Sequence, residues 1–211
     1  MITTLKRDIG IGINNYRSYD VTMGNYTIQT LVTASPSQVG QWLATNTRNP
    51  DHHPMIVGLD VEWRPNTEPN RRQPNRRQPN RRQPNPVATL QLCIGSNCLI
   101  FQILHAPSIP RALTSFLANP GVRFVGVAVQ EDADKLQRDY NLLVANAVDL
   151  RCLAAQKFDV FGLHMMGLAA LGDFVLGLGF DRPHYITMSA WDNRFLTHAQ
   201  VQYAAIDAFV S

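Results

Sequence analysis

Met55-Ile-Val-Gly-Leu-Asp60-Val-Glu62-Trp63 is the stretch on which the fold turns. Its short apolar, β-rich run predicts a buried strand. The two-residue period of a strand puts Asp60 and Glu62 on one face, while Leu59 and Val61 point to the other. Two carboxylates are thus presented side by side. No Lys or Arg shares that strand face, so a divalent cation is the natural counter-charge. Alone, an Asp-x-Glu at a strand end reads more readily as a solvated edge.

Working outward, Val87-Ala-Thr-Leu-Gln-Leu-Cys-Ile94 and Cys98-Leu-Ile-Phe-Gln-Ile-Leu104 have the same β-forming character, and with the first stretch they predict three successive antiparallel strands. Upstream, Tyr26 to Thr33 alternates as one arm of a hairpin with the segment from Tyr19. Ser35-Pro36 then opens a helix with Val39, Trp42 and Leu43 at helical spacing. Downstream come a helix over Ile109–Leu117, a strand over Val122–Val127, a helix over Glu131–Tyr140, and mostly helical sequence ending in Thr197–Val210. This order predicts one α/β domain, a mixed sheet covered by helices. Residues 1–18 are polar, weakly patterned and expected to be poorly structured, with the domain spanning 19–211.

Between the first two strands lies Asn-Arg-Arg-Gln-Pro, repeated three times from Asn70. Proline every fifth residue blocks helix and ladder alike, and nothing apolar is there to bury, so 69–86 reads as a flexible loop inserted in the first core hairpin. The formal charge of the 211-residue chain is +3, and the six repeat arginines more than account for it. The basicity is therefore local.

Three cysteines without metal-ligand spacing fit neither a disulfide framework nor a zinc site. Lys6, Arg7 and Asp8 are followed by no apolar run, so no signal or anchor is readable at the start of the chain. The expectation is an intracellular protein of the nucleus and/or cytoplasm. Val160–Phe180 is long enough to raise a membrane question, but a central Asp173 and five glycines favour a buried helix and turn.

Two further acidic groups accompany the strand pair. Phe124-Val-Gly-Val runs into a helix whose first turn carries Glu131, Asp132 and Asp134, and the last helix places Tyr203 and Asp207 four apart on one face. Each has an ordinary explanation alone, as acid favoured at a helix N-terminus or as helix surface.

Together, Asp60-Val-Glu62-Trp, Phe124-Val-Gly-Val with Asp132 and Lys135-Leu, and Tyr203-Ala-Ala-Ile-Asp207 resemble the three motifs of DEDDy-type 3′-5′ exonuclease domains. The nearest resemblance is to plant Werner-syndrome-like exonucleases, with ribonuclease D more distant. It runs over about Tyr19 to Ser211. It implies an RNase-H-like exonuclease fold, with a mixed five- to six-stranded sheet flanked by helices. It also implies a two-metal hydrolysis of phosphodiester bonds at nucleic-acid 3′ ends, DNA or RNA, with Mg²⁺ or Mn²⁺ as the ions.

Carried over by position, Asp60 bridges both ions, Glu62 and Asp207 hold one, Asp132 helps hold the other, and Tyr203 orients the attacking water. Trp63, Trp191 and Arg194 are candidates to stack on bases or meet phosphates. Thr89 and Leu90 match the strand bordering the family's active site. Because the chain stops four residues after Asp207, that ligand is expected in a fraying turn. The alternative reading is accordingly a catalytically weak or inactive nucleic-acid-binding domain; a third is an interaction module within a larger assembly, with the repeat arm as its contact.

Overall fold

The computed structural model describes residues 2–10, 15–48, 54–66 and 84–211. The strand that carries the Asp-x-Glu, β4 (Met55–Glu62), lies near the middle of one mixed sheet. It pairs antiparallel with β5 (Thr89–Ile94), which pairs antiparallel with β6 (Asn97–Phe101). On its other side β4 runs parallel to β7 (Val122–Gly126), and β7 parallel to β8 (Ala147–Asp149).

The expected five or six strands are an undercount. β3 (Tyr26–Thr33) joins β6 in parallel, and β2 (Tyr16–Met23) and β1 (Ile2–Gly10) continue outward, giving eight strands in the order β1-β2-β3-β6-β5-β4-β7-β8. Within 1–18, the described residues of β1 pair with β2 from Ile2 opposite Met23 to Gly10 opposite Tyr16. Backbone pairing along a neighbour satisfies the amides there without a strong side-chain pattern.

Helices cover both faces. Val57, Leu59 and Val61 pack with Leu90, Leu92 and Phe101 under α1 (Pro36–Asn46), α2 (Arg111–Leu117) and α3 (Val129–Tyr140). The opposite face, bearing Asp60 and Glu62, lies under α7 (His198–Val210), with α4 (Leu150–Phe158), α5 (Leu168–Leu176) and the short α6 (His184–Thr187) beyond it. Thr197 and Gln200 form a reciprocal capping box that fixes the start of α7. Gly58 sets its depth, because a Cβ there would collide with the Ala208 carbonyl oxygen. Only glycine lets α7 come this close to β4. Among the described residues, no helix is long and apolar enough to cross a membrane.

The repeat Arg71–Arg82 lies outside the described residues. Its base does not. Asn85 Nδ2 donates to the Arg64 carbonyl at 2.8 Å and the Ala88 amide donates to the Glu62 carbonyl at 2.8 Å. Lys135 on α3 reaches the Asn85 carbonyl at 2.7 Å, and Asp139 accepts from the Val87 amide at 2.8 Å. The insertion therefore leaves and re-enters the sheet immediately beside Glu62.

Candidate active site

The alternation along β4 aims Asp60 and Glu62 at α7, and the helical four-residue spacing aims Tyr203 and Asp207 back at them. Asp60, Glu62 and Asp207 each offer a carboxylate oxygen, and these atoms all lie within 4.8 Å of one another. Asp207 is 1% exposed and Glu62 7%. Asp60 is half-buried as a residue, but its Oδ2 is fully enclosed and has no hydrogen-bond partner in the structure. Asp132, in the first turn of α3 at the carboxyl end of β7, is half-buried and stands outside that set of three, although its charge bears on Asp60 and Glu62.

Crowding of like charges out of water shows in the acidities. Burial, reinforced by Glu62, Asp207 and Asp132, pushes the Asp60 carboxyl well above the ordinary carboxylate range. Burial and the charge of Asp207 push Glu62 up to about 9. Burial and neighbouring Glu131 push Asp132 up to about 7, and burial pushes Asp207 up to about 6 against the pull of Arg182. An enclosed, orphaned Asp60 oxygen among hard oxygen donors that resist ionising together suits Mg²⁺ or Mn²⁺.

Arg182 is the residue that sequence reasoning missed. It enters from the segment between α5 and α6, donates to Asp207 Oδ2 from Nη2 at 2.6 Å and Nε at 2.9 Å, and lies 5.3 Å from the Tyr203 ring centroid. The expectation that no basic group faces the carboxylates holds for β4 but not for the site. Only a positive residue in a Pro- and Gly-flanked stretch marked Arg182 in the sequence, and such a signal does not say where a loop points.

Tyr203 is held by its hydroxyl, 3.0 Å from Thr187 Oγ1, and by Trp191, whose ring centroid is 5.9 Å away. Burial first, then the charge of Asp207, raises its phenol further above its usual range, so it keeps its proton. Beside Tyr203 and Asp207 a cleft of about 220 Å³ opens, bordered by Phe180, Pro183 and Tyr185. At the end of α7 the Asp207 carbonyl accepts from the Ser211 amide at 3.1 Å and hydroxyl at 2.7 Å.

Three of the substrate-contact candidates are buried. Leu90 is fully buried in the core on the opposite face from Asp60, opposite Val61 in register. Thr89 pairs with Glu62 but is fully buried, its hydroxyl accepting from Gln91 Nε2 at 2.8 Å. Trp191 is 0% exposed, donates to the Thr187 carbonyl and packs under Tyr203. Leu90 is covered by α1, α2 and α3, whereas Trp191 packs in the cluster that includes α7, and the backbone of Thr89 runs beside Glu62. Trp63 and Arg194 keep exposed surface, Trp63 with Lys135 Nζ 4.8 Å from its ring centroid.

Comparison with known proteins agrees with this arrangement. The model of a family described as 3′-5′ exonuclease matches residues 78–211, which takes in Asp132, Tyr203 and Asp207. A 3′-5′ exonuclease of Arabidopsis thaliana is 32% identical over 157 residues, covering 74% of this chain and 50% of that protein, so the chain spans about half of that relative's length. The crystal structure of an EXD2 exonuclease domain is 26% identical, with coverage of 86% and 84% and a TM-score of 0.51. Escherichia coli RNase D, at 20% identity, shares the fold, with a TM-score of 0.63 over 87% of this chain and 42% of that one. On the family match, which covers well over half of its residues, the chain belongs to the 3′-5′ exonuclease family.

Proposed function

We propose that this protein is a metal-dependent 3′-5′ exonuclease of the DEDDy type, nearest in kind to the plant Werner-syndrome-like enzymes, hydrolysing the terminal phosphodiester of a DNA or RNA strand. The observation that carries the reading is the convergence of Asp60, Glu62 and Asp207 from two distant elements onto one enclosed point. Two divalent ions, when bound, supply the positive charge that makes water nucleophilic and neutralises the leaving oxygen.

The chain's own residues do the holding and aiming. Asp60, Glu62 and Asp207 would ligate the ions, with Asp132 completing the set. Tyr203 stays protonated, so its hydroxyl serves to position the water rather than to remove a proton. Trp191 and Thr187 keep that hydroxyl in place. The cleft beside Tyr203 and Asp207 gives a terminal nucleotide access.

The test is release of mononucleotides from labelled single-stranded and recessed-end DNA and RNA with Mg²⁺ or Mn²⁺, wild type against Asp60→Asn. Metal-dependent release that disappears in a folded Asp60→Asn protein is expected. Undiminished release by that variant would overturn the assignment.

A further inference from the structure

A second cavity, of about 470 Å³, lies on the same edge of the sheet as the carboxylates. Strands β3, β6 and β4 are mutually parallel through β5, so the carboxyl ends of β3 (Thr33) and β6 (Phe101) face the same way as Glu62. Its lining includes Tyr16, Arg17, Ser35, His105, Arg194 and Phe195. Among the described residues its lining has two arginines and no carboxylate. The N-terminus of α1 also opens there, without a side-chain cap or an acidic residue in its first turn, which adds to the positive potential.

The cavity is held in shape. Gln102 Nε2 donates to the Asn193 and Arg194 carbonyls at 3.3 and 3.2 Å, and His105 Nε2 lies 2.8 Å from the Asp192 carbonyl. Arg17 lies over Phe195, 4.4 Å from the ring centroid, yet Phe195 remains 62% exposed. The loop carrying Arg194 and Phe195 is tied to the carboxylate strand, because Asp192 pairs with Arg64, two residues past Glu62.

We propose that this cavity binds the unpaired nucleic-acid strand upstream of the 3′ end, with Arg17 and Arg194 meeting phosphates and Phe195 stacking on a base. The proposal rests on the exonuclease reading above. Guanidinium groups neutralise phosphate without reading sequence, and an exposed aromatic ring stacks on any unpaired base. The cavity is thus a length-sensing subsite, filled by a long strand and left empty by a short one.

The test is fluorescence anisotropy of full-length protein in chelator with 5′-labelled oligothymidylates of about 15 and about 3 nucleotides. Cleavage of the same probes with Mn²⁺ is followed alongside. The Arg17→Ala/Arg194→Ala double variant should bind the long probe about tenfold more weakly and flatten its salt slope by about 1.4, while its affinity for the short probe falls far less. Phe195→Ala, at an exposed position, should weaken long-probe binding by a similar factor and decides the matter if the double variant melts early. Wild-type affinity for the long probe in both folded variants, or equal losses on long and short probes, would overturn the proposal. If wild type cleaves neither probe but long-probe binding still depends on these residues, the exonuclease reading fails and the strand site stands.

Discussion

Arg182 donates two hydrogen bonds to a single oxygen, Oδ2, of Asp207, a carboxylate with 1% of its side chain exposed. The guanidinium thus neutralises part of a site that would otherwise gather charge of one sign. Removing it leaves a buried carboxylate short of its partner. Arg182→Gln should lower the stability of the metal-free protein by about 1–3 kcal/mol, a figure reduced because the arginine is about one-third exposed. Denaturant unfolding in chelator reads this directly, and Mn²⁺ should restore more stability to the variant than it adds to wild type. An unchanged midpoint would show the pair to be screened by solvent.

Without metal, stability should fall as pH rises. Glu62 has its folded pKa raised from 4.5 to about 9, and Asp132 and Asp207 are raised in the same sense. A raised carboxyl binds its proton more tightly in the folded than in the unfolded state. Its contribution is therefore complete below about pH 4.5 and lost as pH climbs through about 9. Thermal melts in chelator should show this decline, and saturating Mg²⁺ should flatten it, since a cation replaces the protons. A melting temperature that is flat across this range without metal would contradict the clustering of charge.

Tyr203 and Asp207 share a helix face but not a role. Tyr203→Phe should slow nucleotide release by about 10- to 100-fold while leaving it measurable, because only the aim of the water is lost. Asp207→Asn should cost about 10³-fold or more, since it removes a ligand and several kcal/mol of charge stabilisation. Single-turnover rates of the two folded variants decide. Equal losses would mean that Tyr203 does more than position.

Deleting Asn70–Gln83 should flatten the dependence of log K on log salt by about 2 to 4 for a single strand, if half or more of the six arginines engage phosphates. The base of that insertion sits beside Glu62, so an arm there is anchored at the mouth of the site. An unchanged slope and affinity would leave the repeat as a spacer, which loop-closure entropy readily tolerates.

The carboxylates were legible because they ride on regular elements. A two-residue period fixed the direction of Asp60 and Glu62, and a four-residue step fixed that of Tyr203 and Asp207. What periodicity does not reveal is cover. Trp191 and Thr89 are buried in the folded chain, and Leu90 sits one residue out of phase with the face that bears the carboxylates. The parallel junction of β3 with β6 joins segments separated by β4 and β5, with no local signature, so the sheet looked smaller than it is. Arg182 belongs to an irregular segment, where side-chain direction follows from tertiary placement alone.

The close seat of α7 on Gly58 also bears on time. Asp60 and Asp207 are about 150 residues apart, so the contact that unites them is among the most non-local in the chain and among the slowest to form. Until that helix docks, Asp207 is far from Asp60 and Glu62, and a partly folded chain feels little repulsion between it and that pair. The electrostatic burden thus falls on the fold with that helix docked. A cation that relieves it should leave the folding rate nearly untouched and slow unfolding instead, so that metal sets the lifetime of the native state rather than the speed of reaching it.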